Sequence, residues 1–186
     1  MRTGPTSEAG EPRSEHDAIA ALKASNCQML DAKDWDRWES LFTADAVVQV
    51  GPDADSAIVG RAAIRRLLAR QLLGARTHHR AEAPLVQQEA PGRYRVLWEM
   101  SDRVQTPLYL LQGAGFYEDH YVQTAAGLKI ASVRLHRSQV DLQPRSVLMR
   151  VILRTHRNGW LARLAPGADR TLREALHVGL EPGERP

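Results

Sequence analysis

The sequence predicts an α+β domain in which helices pack on one face of a curved sheet. Apolar residues recur at helical spacing up to about residue 73, and after Gly74 the period changes to alternation over four long segments. The joints between those segments, Pro91-Gly92, Thr106-Pro107 and Ala126-Gly127, are short enough for antiparallel hairpins. A chain of 186 residues holds one such domain with modest extensions.

Residues 1–14 carry Gly, Pro, Ser, Thr and charge without periodicity and read as a flexible tail. Ser14 is placed to cap a helix whose first turn holds Glu15 and Asp17, both favourable at the positive end of the helix dipole. Ile19, Leu22, Asn26, Met29 and Leu30 carry that helix to about residue 32. A second helix is expected over 34–42, with Asp34 as cap and Trp35, Trp38, Leu41 and Phe42 along one side. A short strand over 46–50 ends at the Gly51-Pro52 breaker. The third helix, 60–73, buries Ile64, Leu67, Leu68 and Leu72 and wets Arg61, Arg65, Arg66 and Arg70. Long strands follow over 77–89, 93–104, 108–123 and 128–140. A new helical stripe in Val147, Leu148, Val151 and Ile152, and a short helix over 169–177, make 142–186 a helical C-terminal extension to a 15–141 domain.

Composition narrows the class. Apolar residues at 43% and charged residues at 25% exclude a wholly disordered chain. No run of about 18 apolar residues offers a membrane span, and the polar N-terminus has no apolar core for a secretory signal. A single cysteine, Cys27, excludes an internal disulfide and suits a reducing, cytoplasmic setting. The net charge of +3 comes with arginines interleaved with acids along the chain. The one local excess, from Arg145 to Arg163, does not outweigh that pattern, so neither nucleic acid nor membrane is expected as a partner.

Strand parity assigns the inner face. It selects Thr77, His79, Ala81, Ala83 and Leu85 in the first long strand and Tyr94, Val96, Trp98 and Met100 in the second. In the third it selects Tyr109, Leu111, Gly113, Gly115, Tyr117, Asp119 and Tyr121, an acid among tyrosines and glycines. The fourth strand is ambiguous, because Leu128, Ile130, Arg134 and His136 compete with Ala131, Val133 and Leu135. Val86, Leu97, Leu110 and Phe116 fall on the outer face, where a homodimer contact would bury them.

The stretch 18–141 resembles the SnoaL-like group of the nuclear transport factor 2-like superfamily. The phrases that carry the resemblance are MLDAKDWDRWESLFTADAVVQV, GRAAIRRLL, ARTHHR, GAGFYEDHYV and GLKIASVRL. It implies a cone-like curved antiparallel sheet closed by the N-terminal helices, a cystatin-like α+β barrel with a deep apolar pocket, in dimers or larger oligomers. It also implies, through dehydratase relatives, a helix aspartate and a strand histidine acting as a proton-transfer pair. Those roles fall on Asp31 and His79, with further polar groups at Tyr117 and Asp119 and an arginine at Arg134. The chain departs from the pattern at Asn26, where many relatives carry a tyrosine. Asparagine donates a hydrogen bond but exchanges no proton at neutral pH, which leaves Tyr117 or Tyr121 for that role.

The expected activity is therefore that of a cofactor-free dehydratase, isomerase or cyclase acting on a small, largely apolar hydroxy-carbonyl or polyketide-like molecule. Asp31, His79, Tyr117 and Asp119 form the candidate catalytic set, with Asn26, Trp35, Tyr94, Trp98, Met100, Tyr121 and Arg134 as substrate contacts. The alternative is a non-catalytic ligand-binding or assembly protein of the same fold, with Asp31 a turn acid and the aromatics plain core. His78, His79, His120 and His136 have no zinc spacing, and no Gly-rich phosphate loop follows a strand, so no metal or nucleotide cofactor is expected.

Overall fold

The computed structural model describes residues 14–50, 57–147 and 150. Helix α1 (Glu15–Ala32) starts at a capping box, in which Ser14 Oγ accepts the Asp17 N–H at 3.1 Å and the Asp17 carboxylate accepts the Ser14 N–H at 3.3 Å. It ends at Lys33, whose backbone is left-handed at φ 61°. Asp34 then caps α2 (Trp35–Ser40), accepting from the Arg37 N–H. Strands β1 (Phe42–Gln49) and β2 (Ala57–Val59) precede α3 (Arg61–Gln71). Four long strands complete the order: β3 (Arg76–Ala90), β4 (Arg93–Gln105), β5 (Tyr109–Thr124) and β6 (Gly127–Pro144).

The six strands lie in the order β2-β1-β6-β5-β4-β3. The meander from β3 to β6 is antiparallel throughout, as the hairpin joints require. The sheet as a whole is mixed, which corrects the all-antiparallel expectation: β1 runs parallel to β6, with Val47 opposite Ser132 and Gln49 opposite Arg134. Strand β1 begins at Phe42, earlier than the spacing suggested, because Phe42 continues the aromatic contacts of α2. Its ring lies 4.4 Å from that of Trp38, so the aromatic packing of the helix passes directly into the strand. The three-residue β2 leaves too little pattern to read. Closure of the sheet into a barrel is not part of what the described residues display. The tail over 1–13 and the extension beyond Arg150 lie outside them; the chain enters a helical turn at Val147, with the Arg150 N–H donating to the Ser146 carbonyl at 3.1 Å.

Bulges decide which side chains face the helices. In β3 the register shifts between Glu82 and Leu85, where Ala83 has φ 48°. His79 and Ala81 keep the predicted inner face, but beyond the bulge the faces exchange. Leu85, expected inside, is 71% exposed, and Val86, expected outside, packs on the core. In β6 the register shifts between Ile130 and Ser132 and again between Arg137 and Gln139. The first shift resolves the ambiguous parity, because Ile130 and then Val133 and Leu135 all face inward. Strand β4 has no shift against β5, and Tyr94, Val96, Trp98 and Met100 are all buried as predicted.

The core gathers Ile19 of α1, Trp38 of α2 and Ile64 of α3 against Phe42, Val96, Tyr121 and Ile130 of the sheet. Gly115 stands where a methyl group would overlap the His136 carbonyl of the neighbouring strand. Gly115→Ala should therefore push β5 from β6 and destabilise the fold by about 1–3 kcal/mol, the range for overpacking, read as a lower urea midpoint.

Candidate active site

Asp31 occupies the last turn of α1, and His79 faces it from the inner side of β3. The His79 Nδ1 lies 2.6 Å from Asp31 Oδ1, and the His79 backbone N–H donates to Oδ2 at 2.9 Å. The Thr77 hydroxyl, two residues earlier on the same face, donates to Oδ1 at 2.8 Å. An ionised carboxylate only accepts, so the network places a proton on Nδ1 and leaves Nε2 as the ring nitrogen not engaged by Asp31. His78 falls on the other face, largely exposed and 3.9 Å from Asp31 Oδ2. Partial burial pushes the Asp31 carboxyl up, but the hydrogen bonds from His79 and Thr77 and the His79 charge outweigh it and hold the group below its ordinary 3.8.

A recess of about 440 Å³ opens between α1 and β3, lined by Lys23, Cys27, Asp31, His79, Arg80 and Ala81 among others. A larger one, about 660 Å³, lies near Thr43, Asp45, Gly92 and Arg93 and contains no paired acid and base. The smaller recess is the chemically equipped one.

Behind the pair lies a buried ionic cluster. Lys23 Nζ donates to Asp119 Oδ2 at 2.8 Å, with 2% and 0% of the two side chains exposed. Tyr121 donates its hydroxyl to the same oxygen at 2.7 Å, and the ammonium lies 3.7 Å from the centre of the Tyr117 ring. Burial pushes both phenols well above their ordinary value, for Tyr121 with the help of the Asp119 charge, so they stay protonated. Asp102, opposite His79 in the register of β3 and β4, pairs with Arg137 of β6. Arg137 reaches it over Gly113, where a methyl group would overlap Asp102 Oδ1.

The structure thus joins Asp31 to His79, and Asp119 to Tyr121 and the Tyr117 neighbourhood. Asn26 is buried in α1, and its side-chain N–H group has no partner among the described residues. Tyr94, Trp98 and Met100 are packed in the core, and Trp35 lies edge-on to Trp38, so none of these four lines the recess. Arg134 turns outward and donates to Gln49 Oε1 at 3.0 Å; the shift between Ile130 and Ser132 brings Arg137 to the inner face in its place. Sequence reasoning missed Lys23, Asp102 and Arg137. Gly113 and Gly115 were the available signal, since two glycines on an inner strand face make room for a side chain that crosses it. Among the described residues, no three His, Cys, Asp or Glu side chains converge as a metal-binding group, and no helix is long and apolar enough to cross a membrane.

A family profile for the SnoaL-like domain matches residues 12–134, about two-thirds of the chain. The protein belongs to the SnoaL-like domain family. Solved structures share the fold. A protein provisionally named a scytalone dehydratase, from Novosphingobium aromaticivorans, is 20% identical over 68% of this chain and 86% of its own, with a TM-score of 0.59. Kfla4162 from Kribbella flavida is 18% identical over 66% and 90%, at 0.60. A type 2 hexachlorocyclohexane dehydrochlorinase, LinA, is 13% identical over 72% and 95%, at 0.58. At these identities the likeness is one of fold. Among curated proteins no sequence matches significantly.

Two outcomes follow from the charges of this SnoaL-like site. Asp119→Ala strands a buried ammonium and should cost about 3–5 kcal/mol, whereas Lys23→Met with Asp119→Leu should recover most of that loss in urea titration. Because the folded Asp31 carboxyl titrates below 3.8, its stabilisation is complete above that pH and is lost as the pH falls through the lower folded value. Asp31→Asn should therefore show a flatter fall in unfolding free energy on the acid side.

Proposed function

We propose that the protein is a cofactor-free acid–base catalyst, a lyase or isomerase acting on a small hydroxy-carbonyl compound. The observation that carries this is the Asp31–His79 pair, 2.6 Å apart at the wall of a recess; with a proton on Nδ1 toward Asp31, the neutral imidazole has Nε2 as its base. In the elimination, Nε2 takes the proton from the carbon next to the substrate carbonyl. The C–H electrons form the new double bond as the β-hydroxyl leaves. Asp31 stabilises the imidazolium, which returns its proton to the departing hydroxyl, so that water is released and the enzyme is unchanged. Isomerisation uses the same first step and returns the proton to carbon.

The developing oxyanion needs a donor. The Tyr121 hydroxyl is committed as a hydrogen-bond donor to Asp119, which leaves the hydroxyl of Tyr117, whose ring lies under the Lys23 ammonium, as the better-suited group. The packed state of Tyr94, Trp98 and Met100 favours a compact substrate held at the recess over a long one threaded into the sheet. Two neighbours of the same fold carry names, dehydratase and dehydrochlorinase, that denote loss of HX from adjacent carbons, which favours elimination.

A panel of small β-hydroxy-ketones provides the test. On whichever compound turns over, His79→Ala should lower kcat by about 10²-fold or more. The double variant with Asp31→Asn should be little worse than the poorer single one, because the two side chains act as a unit. Near-normal turnover in His79→Ala would refute the proposal.

A further inference from the structure

Lys33 closes α1 two residues after Asp31, in a left-handed conformation with φ 61° and ψ 28°. Helices commonly place glycine at such a position, because a residue with a Cβ is strained there. The lysine side chain bends back toward the site. Its Nζ donates to the Leu30 carbonyl at 3.1 Å and to Thr77 Oγ1 at 2.5 Å. Thr77 in turn donates to Asp31 Oδ1. An ammonium has only donors and a carboxylate only acceptors, so the relay runs one way, from Lys33 to Thr77 to Asp31. With its oxygen occupied by Lys33, the Thr77 hydroxyl is aimed at the carboxylate.

The terminal torsion of an aspartate is broad; His79 holds Oδ2 through its backbone N–H and Oδ1 through its ring, and Thr77 adds a second donor at Oδ1 that narrows the torsion further. We infer that Lys33 is a positioning residue for the acid–base pair: through Thr77 it locks the Asp31 carboxylate in the orientation that keeps the proton on His79 Nδ1. This rests on the acid–base reading given above. Strain retained beside a site, where glycine would relieve it, fits a residue held for what its side chain does. Partial burial lowers the Lys33 pKa, while Asp31 pulls it back up, as expected of an ammonium drawn toward a carboxylate.

The imidazole nitrogen shifts of His79, assigned by their loss in His79→Gln, report the tautomer without any substrate. They are read in alkaline solution, where imidazole is neutral. The other groups around His79 — Lys23 and Cys27 of α1, His78 and Arg80 of β3, and Asp102 opposite on β4 — stay in place in every variant. The wild type should show the Nδ1–H form. Lys33→Gly and Thr77→Val should each raise the share of Nε2–H relative to Nδ1–H roughly fivefold, the equivalent of one ordinary hydrogen bond. Thr77→Ser should restore the wild-type ratio. The Lys33→Gly variant should melt no lower than the wild type, since relief of strain offsets its lost contacts.

An unchanged tautomer ratio in Lys33→Gly and Thr77→Val, with a normal wild type, would overturn the positioning role. A ratio that shifts only alongside a lowered melting temperature in Lys33→Gly would also overturn it, because a merely structural lysine behaves that way. A wild type without the Nδ1–H form would overturn the acid–base reading itself, and the inference with it.

Discussion

The ammonium of Lys23 rests on Asp119 at 2.8 Å, and with both side chains out of water this contact sets where α1 crosses the sheet. Asp119 lies on β5, whereas His79 lies two strands away on β3. Two strand spacings amount to about 10 Å, and the eight residues from Lys23 to Asp31 carry the helix about 12 Å. A helix anchored at Lys23 and running across the strands therefore delivers Asp31 to the edge strand that holds His79. The buried ion pair contributes little net stability, since desolvation takes back most of the Coulomb gain. Its effect is to fix one crossing position for α1 where apolar contacts alone would tolerate neighbouring ones.

Charge on the inner face is arranged in pairs. Asp31 faces His79, Asp119 faces Lys23 with Tyr121, and Asp102 faces Arg137. Each acid has a donor from a different element, so the helix and four strands are joined through polar contacts as well as through the core. Buried charge remains in such a fold only because each group finds its counterpart. The consequence for chemistry is a difference in access: Asp119 and Asp102 are shut away from water, whereas Asp31 is partly exposed beside His79 at the recess.

Much of this was legible in the sequence, and the failures have definite causes. The cap at Ser14, the helix through Ala32 and the alternation in β4 rest on local rules of capping, period and parity, whereas the meeting of Asp31 with His79 was implied by the family resemblance, with parity choosing His79 over His78. Parity failed wherever an extra residue entered a strand. The bulge at Ala83 exchanged Leu85 with Val86, and the first one in β6, which the ambiguous pattern of that strand did not show, turned Arg134 out and Arg137 in. Lys23 was missed because a lysine within a helix is ordinarily wet, and only the distant Asp119 makes its burial tolerable. The parallel pairing of β1 was invisible for a similar reason. Nothing in eight residues states which partner, formed much later in the chain, will lie beside them.

That pairing also shapes how the protein comes into being. Gln49 of β1 meets Arg134 of β6, 85 residues further on. At roughly 5–20 residues per second, a ribosome needs on the order of 4–17 s to supply the second strand after the first. During that interval β1 has only the three residues of β2 to pair with, and a lone two-stranded ribbon is marginal in water. The nascent chain thus carries an open strand edge along β1 until β6 emerges. Chaperones that shield exposed strands would have their window here, before the last long hairpin is complete.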